Sequence, residues 1–194
     1  MRGRSREYSL QLLIQRLCIF HAERGRLIDA VLKCDEYASV ALQYVLAATL
    51  VGKVPVIYAS HRNAAIAYNW KIKMNETGKI PAFMNVIPEL NHNEMTGFDV
   101  HKSTEKLINN FYTLILRDEE DDPRIHKRME ILERLYNKRD IPTEIIAIEG
   151  TGRFEKIFSS LYLADWVAYY TAQEYGSDPD NVPMVEEFKK LMKG

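Results

Sequence analysis

The spacing of apolar residues changes once along the chain, close to residue 53. Over residues 8–52 apolar positions recur every three or four residues, as in amphipathic helices. The block that starts at Tyr37 has the longest uncharged window, but Gln43 interrupts it, and it is shorter than the roughly 20 residues of a membrane span. It therefore predicts a buried helix, and the N-terminal region as a whole is predicted to be helical.

Beyond that point, short apolar runs alternate with helical segments. The apolar runs predict four strands, at 54–59, 80–87, 111–118 and 143–150. Helices are predicted between and after them, with Ser60 as the N-cap of the first and Asp122 and Pro123 starting the helix after the third strand. This alternation requires right-handed crossovers and a parallel sheet covered on both faces. The prediction is a flavodoxin-like, three-layer α-β-α sandwich forming one domain over 1–194, with N-terminal helices at 5–52 packed on it.

Composition narrows the class of protein. A hydrophobic content of 46% is enough for a core in a chain of 194 residues. The net charge of −1 argues against nucleic-acid binding, although the first six residues, MRGRSR, carry three arginines. Cys18 and Cys34 are too few for a disulfide framework or a zinc site, and no secretory signal is evident. A reducing cytoplasm is the expected location.

The candidate chemistry lies in the loops after the strands, because parallel sheets bind ligands beyond the carboxyl ends of their strands. The loops concerned are 60–63, 88–94, 118–122 and 149–153. His92, in the NHNE sequence at 91–94, is the strongest single candidate because imidazole exchanges protons near neutral pH. An equally weighted alternative is that Asn91 caps a short helix while His92 bonds the loop backbone. A metal site of His92 and Glu94 is weaker, since the other histidines have no ligand spacing.

Other chemical signals are weak. Glu76 ends the helix before the second predicted strand, and the residues alone favour a solvated carboxylate in a turn beside Asn75 and Gly78. GxGxxG and GxxxxGK[ST] are absent, and Gly-Thr-Gly at 150–152 is too short to bind a nucleotide. No nucleotide or metal cofactor is expected.

Three stretches of the chain resemble a known family. They are KVPVIYASHRNAAIAYNWKIKMNETGKIPAFMNVIPELNHNEMTGF, LILRDEEDDPRIHKRMEI and SSLYLADWVAYYTAQEYGSDPDNVPMVEEFKKLM. Together they resemble the C-terminal half of the archaeal-type bifunctional phosphoglucose/phosphomannose isomerases, of the sugar isomerase (SIS) domain superfamily. The resemblance runs from about Arg6 to the C-terminus, and the NHNE loop with the upstream NE is its most specific part. It implies homodimers that interconvert aldose and ketose 6-phosphates without metal or nucleotide.

The resemblance also implies a role for four residues. Glu76, in MNETGKIPAF, matches the glutamate that moves a proton between C1 and C2 of the open-chain sugar. His92 matches a histidine that helps to open the ring and reaches the site of the neighbouring subunit. Lys189 matches a lysine that acts on the ring oxygen, with Lys190 as the alternative. Arg6 is the counterpart of an arginine that stabilises the enediolate.

Two departures from the family leave alternatives open. Family members carry an N-terminal SIS domain whose Ser/Thr-rich loops bind the phosphate, and this chain starts close to where that domain would end. Ser60 alone is a weak substitute for these loops. A homodimer is expected, a separate N-terminal SIS chain is an alternative partner, and the source of the phosphate site is left open. Asp122 stands where a histidine is expected.

Two functions remain open. The chain is a sugar-phosphate isomerase, or its catalytic half, or it is a non-catalytic SIS module that binds a sugar phosphate or serves as a dimerisation partner. Either way, the residues rich in Leu, Tyr and Trp at 154–175 predict a homo-oligomer.

Overall fold

A single parallel sheet forms the centre of the computed structural model, which describes residues 38–193. Its strands are β1 (Val54–Ser60), β2 (Phe83–Ile87), β3 (Phe111–Arg117) and β4 (Thr143–Ala147). They are arranged in the order β2-β1-β3-β4, and all three neighbouring pairs are parallel. The predicted parallel sheet is confirmed.

Helices connect the strands and follow them. They are α1 (Ala38–Thr49), α2 (Ala64–Glu76), α3 (Glu94–Gly97), α4 (Glu105–Ile108), α5 (Pro123–Asn137), α6 (Arg153–Glu174) and α7 (Pro183–Leu191). Two 3-10 helices, His61–Asn63 and Glu89–Asn91, follow β1 and β2.

One face of the sheet packs against α1, α2 and α6. Ile57 of β1 and Leu114 of β3 lie opposite each other in the register and are fully buried on this face. Trp70 of α2 is also fully buried, and its indole nitrogen donates to Ser160 Oγ of α6 at 3.0 Å. That bond satisfies the one polar atom of a large buried ring and fixes α2 beside α6.

The other face packs against α5 and the short helices α3 and α4. Tyr58 and Ile115 of the sheet meet Met129 and Leu132 of α5, and Leu90 of the second 3-10 helix joins the same core. With helices on both faces, the three-layer α-β-α sandwich is confirmed.

The start of the second strand is predicted too early. Residues 80–82 are apolar enough to predict a strand, but β2 begins at Phe83. The backbone nitrogen of Ile80 donates to Met74 O at 3.2 Å, and that of Ala82 donates to Asn75 Oδ1 at 2.9 Å. These bonds hold the segment against the end of α2 rather than in the sheet.

The predicted helix starts are partly correct. Asp122 accepts a hydrogen bond from the Arg124 backbone nitrogen at 2.7 Å, and Pro123 is in the first turn of α5, as predicted. The prediction for Ser60 is wrong in detail: its hydroxyl makes no capping bond and donates to Asp121 Oδ1 at 2.6 Å. Asn93, not Asn91, caps a short helix, since its Oδ1 accepts from the Glu94 backbone nitrogen at 2.6 Å.

The helix predicted from Tyr37 is confirmed as α1, whose Leu46 side chain is buried against the sheet. In the part of the chain that the structure describes, none of the helices has the length and apolarity to cross a bilayer. The helices predicted before residue 38, together with Arg6, Cys18 and Cys34, lie outside the described residues.

Candidate active site

Two of the loops identified from the sequence meet at the carboxyl ends of β1 and β3. The Asn63 amide donates to Ser60 Oγ at 3.2 Å, to Asp121 Oδ1 at 3.3 Å and to Asp118 Oδ2 at 3.4 Å. All four side chains are buried. The meeting point follows from topology, because β1 and β3 are adjacent parallel strands and their loops open at one edge of the sheet.

A lysine from α6 completes this cluster. Lys156 is 1% exposed, and its Nζ lies 2.7 Å from Asp118 Oδ1 and 2.9 Å from Glu120 Oε1. Gly150 allows the preceding loop to pass close to α6, since an added Cβ there would lie only 2.6 Å from the Lys156 backbone nitrogen. A buried ammonium is stable only with such compensation.

Two arginines surround the buried ions. Arg153 bonds Asn63 Oδ1, donates to Arg62 O at 3.1 Å and lies 3.6 Å from Asp118 Oδ2. Arg62 pairs with Glu120. We call this set the Asp118 network; it consists of Ser60, Arg62, Asn63, Asp118, Glu120, Asp121, Arg153 and Lys156. The exposed Glu119 adds a further carboxylate, whose Oε1 lies 3.3 Å from Lys156 Nζ, so the acidic groups outnumber the three cations by one.

The charges in the Asp118 network fix each other's ionisation. Burial alone would raise the pKa of Asp118, but hydrogen bonds from Lys156 and from the Glu120 backbone outweigh it and hold the pKa below its usual value. Hydrogen bonds from Arg62 and Lys156 lower the pKa of Glu120, and the bond to Asp118 raises the pKa of Lys156. Asp118, Glu120 and Lys156 are therefore ionised near neutral pH, and their contacts join the loops after β1 and β3 to α6.

We expect the thermal midpoint of the chain to fall as the pH drops below about 4. A carboxyl group whose pKa is lowered by folding stabilises the fold above its unfolded pKa, and this stabilisation is lost as the pH falls through the folded value. Asp118 and Glu120 are such groups. Thermal unfolding followed by circular dichroism from about pH 7 to pH 2.5 measures the effect.

Asp118→Asn should flatten that acid-range fall, because the substituted group no longer titrates. Asp165→Asn is the matched control, since Asp165 forms a half-exposed ion pair with Lys73 at 2.6 Å. Equal acid slopes in the two variants would contradict the assignment.

Glu76 is the last residue of α2 and is exposed. The turn after it is tight: an added Cβ at Gly78 would lie 2.8 Å from Met74 O. Lys79 Nζ donates to Asn181 O at 2.6 Å, so this turn contacts the segment that leads into α7. The structure thus places the Glu76 turn beside the connection to the helix that carries Lys189.

Lys189 lies on α7 and is exposed, with its Nζ 2.7 Å from Glu186 of the same helix. Lys190 is exposed as well, and α7 buries none of its residues. Over residues 38–193, no hydrogen bond or ion pair joins Lys189 to Glu76 or His92.

His92 follows the second 3-10 helix and is exposed. Its neighbour Leu90 packs in the core on the α5 side of the sheet, whereas α2, which carries Glu76, packs on the other side. One chain therefore carries Glu76 and His92 on elements that cover opposite faces. Arg6 lies outside the described residues.

A groove of about 510 Å³ lies beside the edge strand β2. Its lining is mainly apolar and includes Val56, Tyr68, Lys71, Phe83, Met84, Glu94, Phe98 and Phe111. Phe83 starts β2, so the groove lies towards the amino ends of the strands rather than at the edge where ligands are expected. With one cation and one carboxylate, it is not built for a phosphate. Among the described residues, no three His, Cys, Asp or Glu side chains are grouped for a metal.

Lys156 is the residue that sequence reasoning missed. The run of five acidic residues at 118–122 is its only signal, because such a run after a buried strand requires a cation. The identity of the cation that neutralises this acidic run depends on how α6 packs against the loop, and local sequence does not show how distant elements pack.

Comparison with known proteins places the chain in a family. Residues 40–192 match the family described as the bacterial phospho-glucose isomerase C-terminal SIS domain. The bifunctional phosphoglucose/phosphomannose isomerase of Aquifex aeolicus is 30% identical over 99% of this chain and 60% of its own length. The protein of the same name from Thermoplasma volcanium is 34% identical over 71% of this chain and 42% of its own length. The chain thus spans about 60% or less of these relatives.

Solved structures agree on the fold. A glucose-6-phosphate isomerase-like protein from Thermus thermophilus superposes with a TM-score of 0.56 at 20% identity, over 73% of this chain and 46% of that one. A putative phosphosugar isomerase from Bacteroides fragilis superposes with a TM-score of 0.51 at 12% identity, over 88% of this chain and 92% of that one. The family match over residues 40–192 shows that this chain belongs to the family of the bacterial phosphoglucose isomerase C-terminal SIS domain.

Proposed function

We propose that the chain is the catalytic SIS domain of an aldose-ketose isomerase that interconverts glucose 6-phosphate and fructose 6-phosphate, with mannose 6-phosphate as a further substrate. One observation carries the proposal: within the matched domain, the glutamate of the NETGKIPAF segment stands exposed on the last residue of α2. An exposed carboxylate at a helix end is accessible to accept a proton from a bound sugar.

In the proposed reaction Glu76 removes the proton from C2 of the open-chain aldose. The C2–H electrons form the C1=C2 bond of an enediolate, and the C1 carbonyl oxygen receives the negative charge. A proton passes from the C2 hydroxyl to the C1 oxygen, and Glu76 returns its proton to C1, which gives the ketose. A positioned base of this kind contributes about 10²–10⁴-fold to the rate.

The other groups open the ring and balance charge. Lys189 and His92 would exchange the proton of the ring oxygen, and Arg6 would stabilise the enediolate as a permanent cation. The bond from Lys79 to Asn181 supports Lys189 in the same site as Glu76, because it holds the start of the α7 segment beside the Glu76 turn.

We propose a homodimer in which His92 serves the site of the second subunit, while a separate N-terminal SIS chain is the alternative source of a partner and of the phosphate site. The support for a second subunit is the placement of His92 and Glu76 on opposite faces of one sheet. Such an enzyme would act in glycolysis and gluconeogenesis in the cytoplasm.

The outer face of α6 is the proposed contact surface. Phe154, Phe158 and Tyr162 recur every four residues and are 79%, 64% and 59% exposed. We expect light scattering to give about twice the 22.5 kDa chain mass, and Phe158→Glu to give the monomer. Leu107→Glu, at a residue 67% exposed on α4, is the matched control and should stay dimeric. A wild-type monomer at micromolar concentration would contradict the proposal.

A coupled assay with glucose 6-phosphate, mannose 6-phosphate and fructose 6-phosphate on the purified chain tests the function. Turnover supports the isomerase. A thermal shift with fructose 6-phosphate but no turnover would favour the non-catalytic SIS module. The absence of both turnover and a thermal shift would contradict the isomerase and would leave an SIS module that serves only as a dimerisation partner.

A further inference from the structure

The loop that carries His92 is fixed on both sides while the imidazole faces outward. On one side, Arg128 of α5 donates to Asn91 Oδ1 at 3.3 Å. On the other, the Glu94 backbone nitrogen donates to Asn93 Oδ1 at 2.6 Å and starts α3. His92 itself is exposed.

The Glu94 side chain bonds β2 and lies near hydroxyl groups of β1 and α5. Its Oε1 accepts from the Asn85 amide of β2 at 3.0 Å. Its Oε2 is buried with the hydroxyls of Tyr58 of β1 and Tyr136 of α5, and none of these three oxygens has a hydrogen bond of ordinary geometry within the described residues. Burial raises the pKa of Tyr58 most, and Tyr136 and Glu94 raise it further, so the three groups lie within electrostatic reach.

This arrangement is unusual for a residue that only fills space. A partly buried carboxylate whose Oε2 is buried without an ordinary hydrogen bond costs stability, and an apolar side chain would pack beside the two tyrosines at lower cost. A directional bond to Asn85, in contrast, sets the position of the first turn of α3 along β2. Because His92 is two residues before Glu94, that position also sets where the imidazole stands.

We propose that Glu94 is a positioning residue: it fixes the start of α3 and so holds the His92 imidazole in its outward-facing position, from which it can reach a second subunit. That the position of His92 serves catalysis rests on the proposed function. That Glu94 orders the His92 loop does not. Measurements of activity test the first statement, and measurements of loop order test the second.

The experiment measures backbone order at His92 by nitrogen-15 relaxation on the full chain. The expected order parameter is about 0.85 in the wild type and below about 0.6 in Glu94→Ala, at a temperature where both remain folded. Glu94→Gln should restore the wild-type value, because its amide oxygen still accepts from Asn85. Glu105→Ala, a substitution in the first turn of α4, is the control and should leave His92 ordered.

Asn85→Ala provides an independent variant in case Glu94→Ala does not fold. It removes the 3.0 Å bond and keeps the carboxylate, and it should also lower the order parameter of His92. If His92 stays ordered in every folded variant, the proposal is overturned, whether or not the chain is active.

In an active preparation, Glu94→Ala should lower kcat about 10²-fold with KM changed less than about twofold, and Glu94→Gln should recover most of kcat. If His92 loses order but kcat does not fall, the position of His92 has no catalytic role, while the ordering role of Glu94 stands.

Discussion

Under the proposed mechanism, Glu76→Gln is expected to lower isomerase turnover by about 10²–10⁴-fold, because glutamine cannot accept the C2 proton. KM should change little, since Gln keeps the size and hydrogen-bonding reach of the side chain. The thermal midpoint should stay within about 2 °C of the wild type, because Glu76 is exposed and surface substitutions have small effects. The measurement is kcat for fructose 6-phosphate, together with incorporation of solvent deuterium at C1 and C2.

Glu174→Gln is the matched control, because Glu174 is also an exposed glutamate on the last residue of a helix, α6. It should keep wild-type turnover. In an active chain, equal kcat in Glu76→Gln and Glu174→Gln would remove Glu76 from the mechanism.

The second large effect is on stability. Lys156→Met should lower the thermal midpoint by roughly 10 °C, because it leaves Asp118, which is fully buried, without its main counter-charge. Lys73→Met should lower it by less than about 3 °C, since the 2.6 Å pair of Lys73 with Asp165 is partly exposed to solvent. Scanning calorimetry at neutral pH compares the two.

Asp118→Asn added to Lys156→Met should recover part of the lost stability, because it removes the uncompensated charge and keeps the shape of the side chain. If Lys156→Met unfolds at the wild-type temperature, Lys156 is not the cation that stabilises Asp118.

The sequence predicts the layers of the fold better than its boundaries. The change from helical spacing to short β-rich runs predicts four strands in a parallel sheet, and Asp122 followed by Pro123 predicts the start of α5. Residues 80–82 are misassigned because their apolar side chains resemble a strand, while their backbone bonds go to α2.

The candidate site is predicted only in part, for a physical reason. Local sequence identifies which loops open at one edge of the sheet, and Ser60 and Asp118 do meet there through Asn63. It does not identify Lys156, which is 38 residues from Asp118 in the sequence and meets it only through tertiary packing. The roles of Glu76, His92, Lys189 and Arg6 stay predictions that depend on family resemblance.

The placement of Glu76 and His92 on opposite faces has a genetic consequence if each subunit of the dimer supplies His92 to the site of the other subunit. Chains disabled by Glu76→Gln and chains disabled by His92→Gln would complement each other when co-expressed. Each mixed pair would regain one working site, and random pairing of equal amounts would restore about a quarter of wild-type activity.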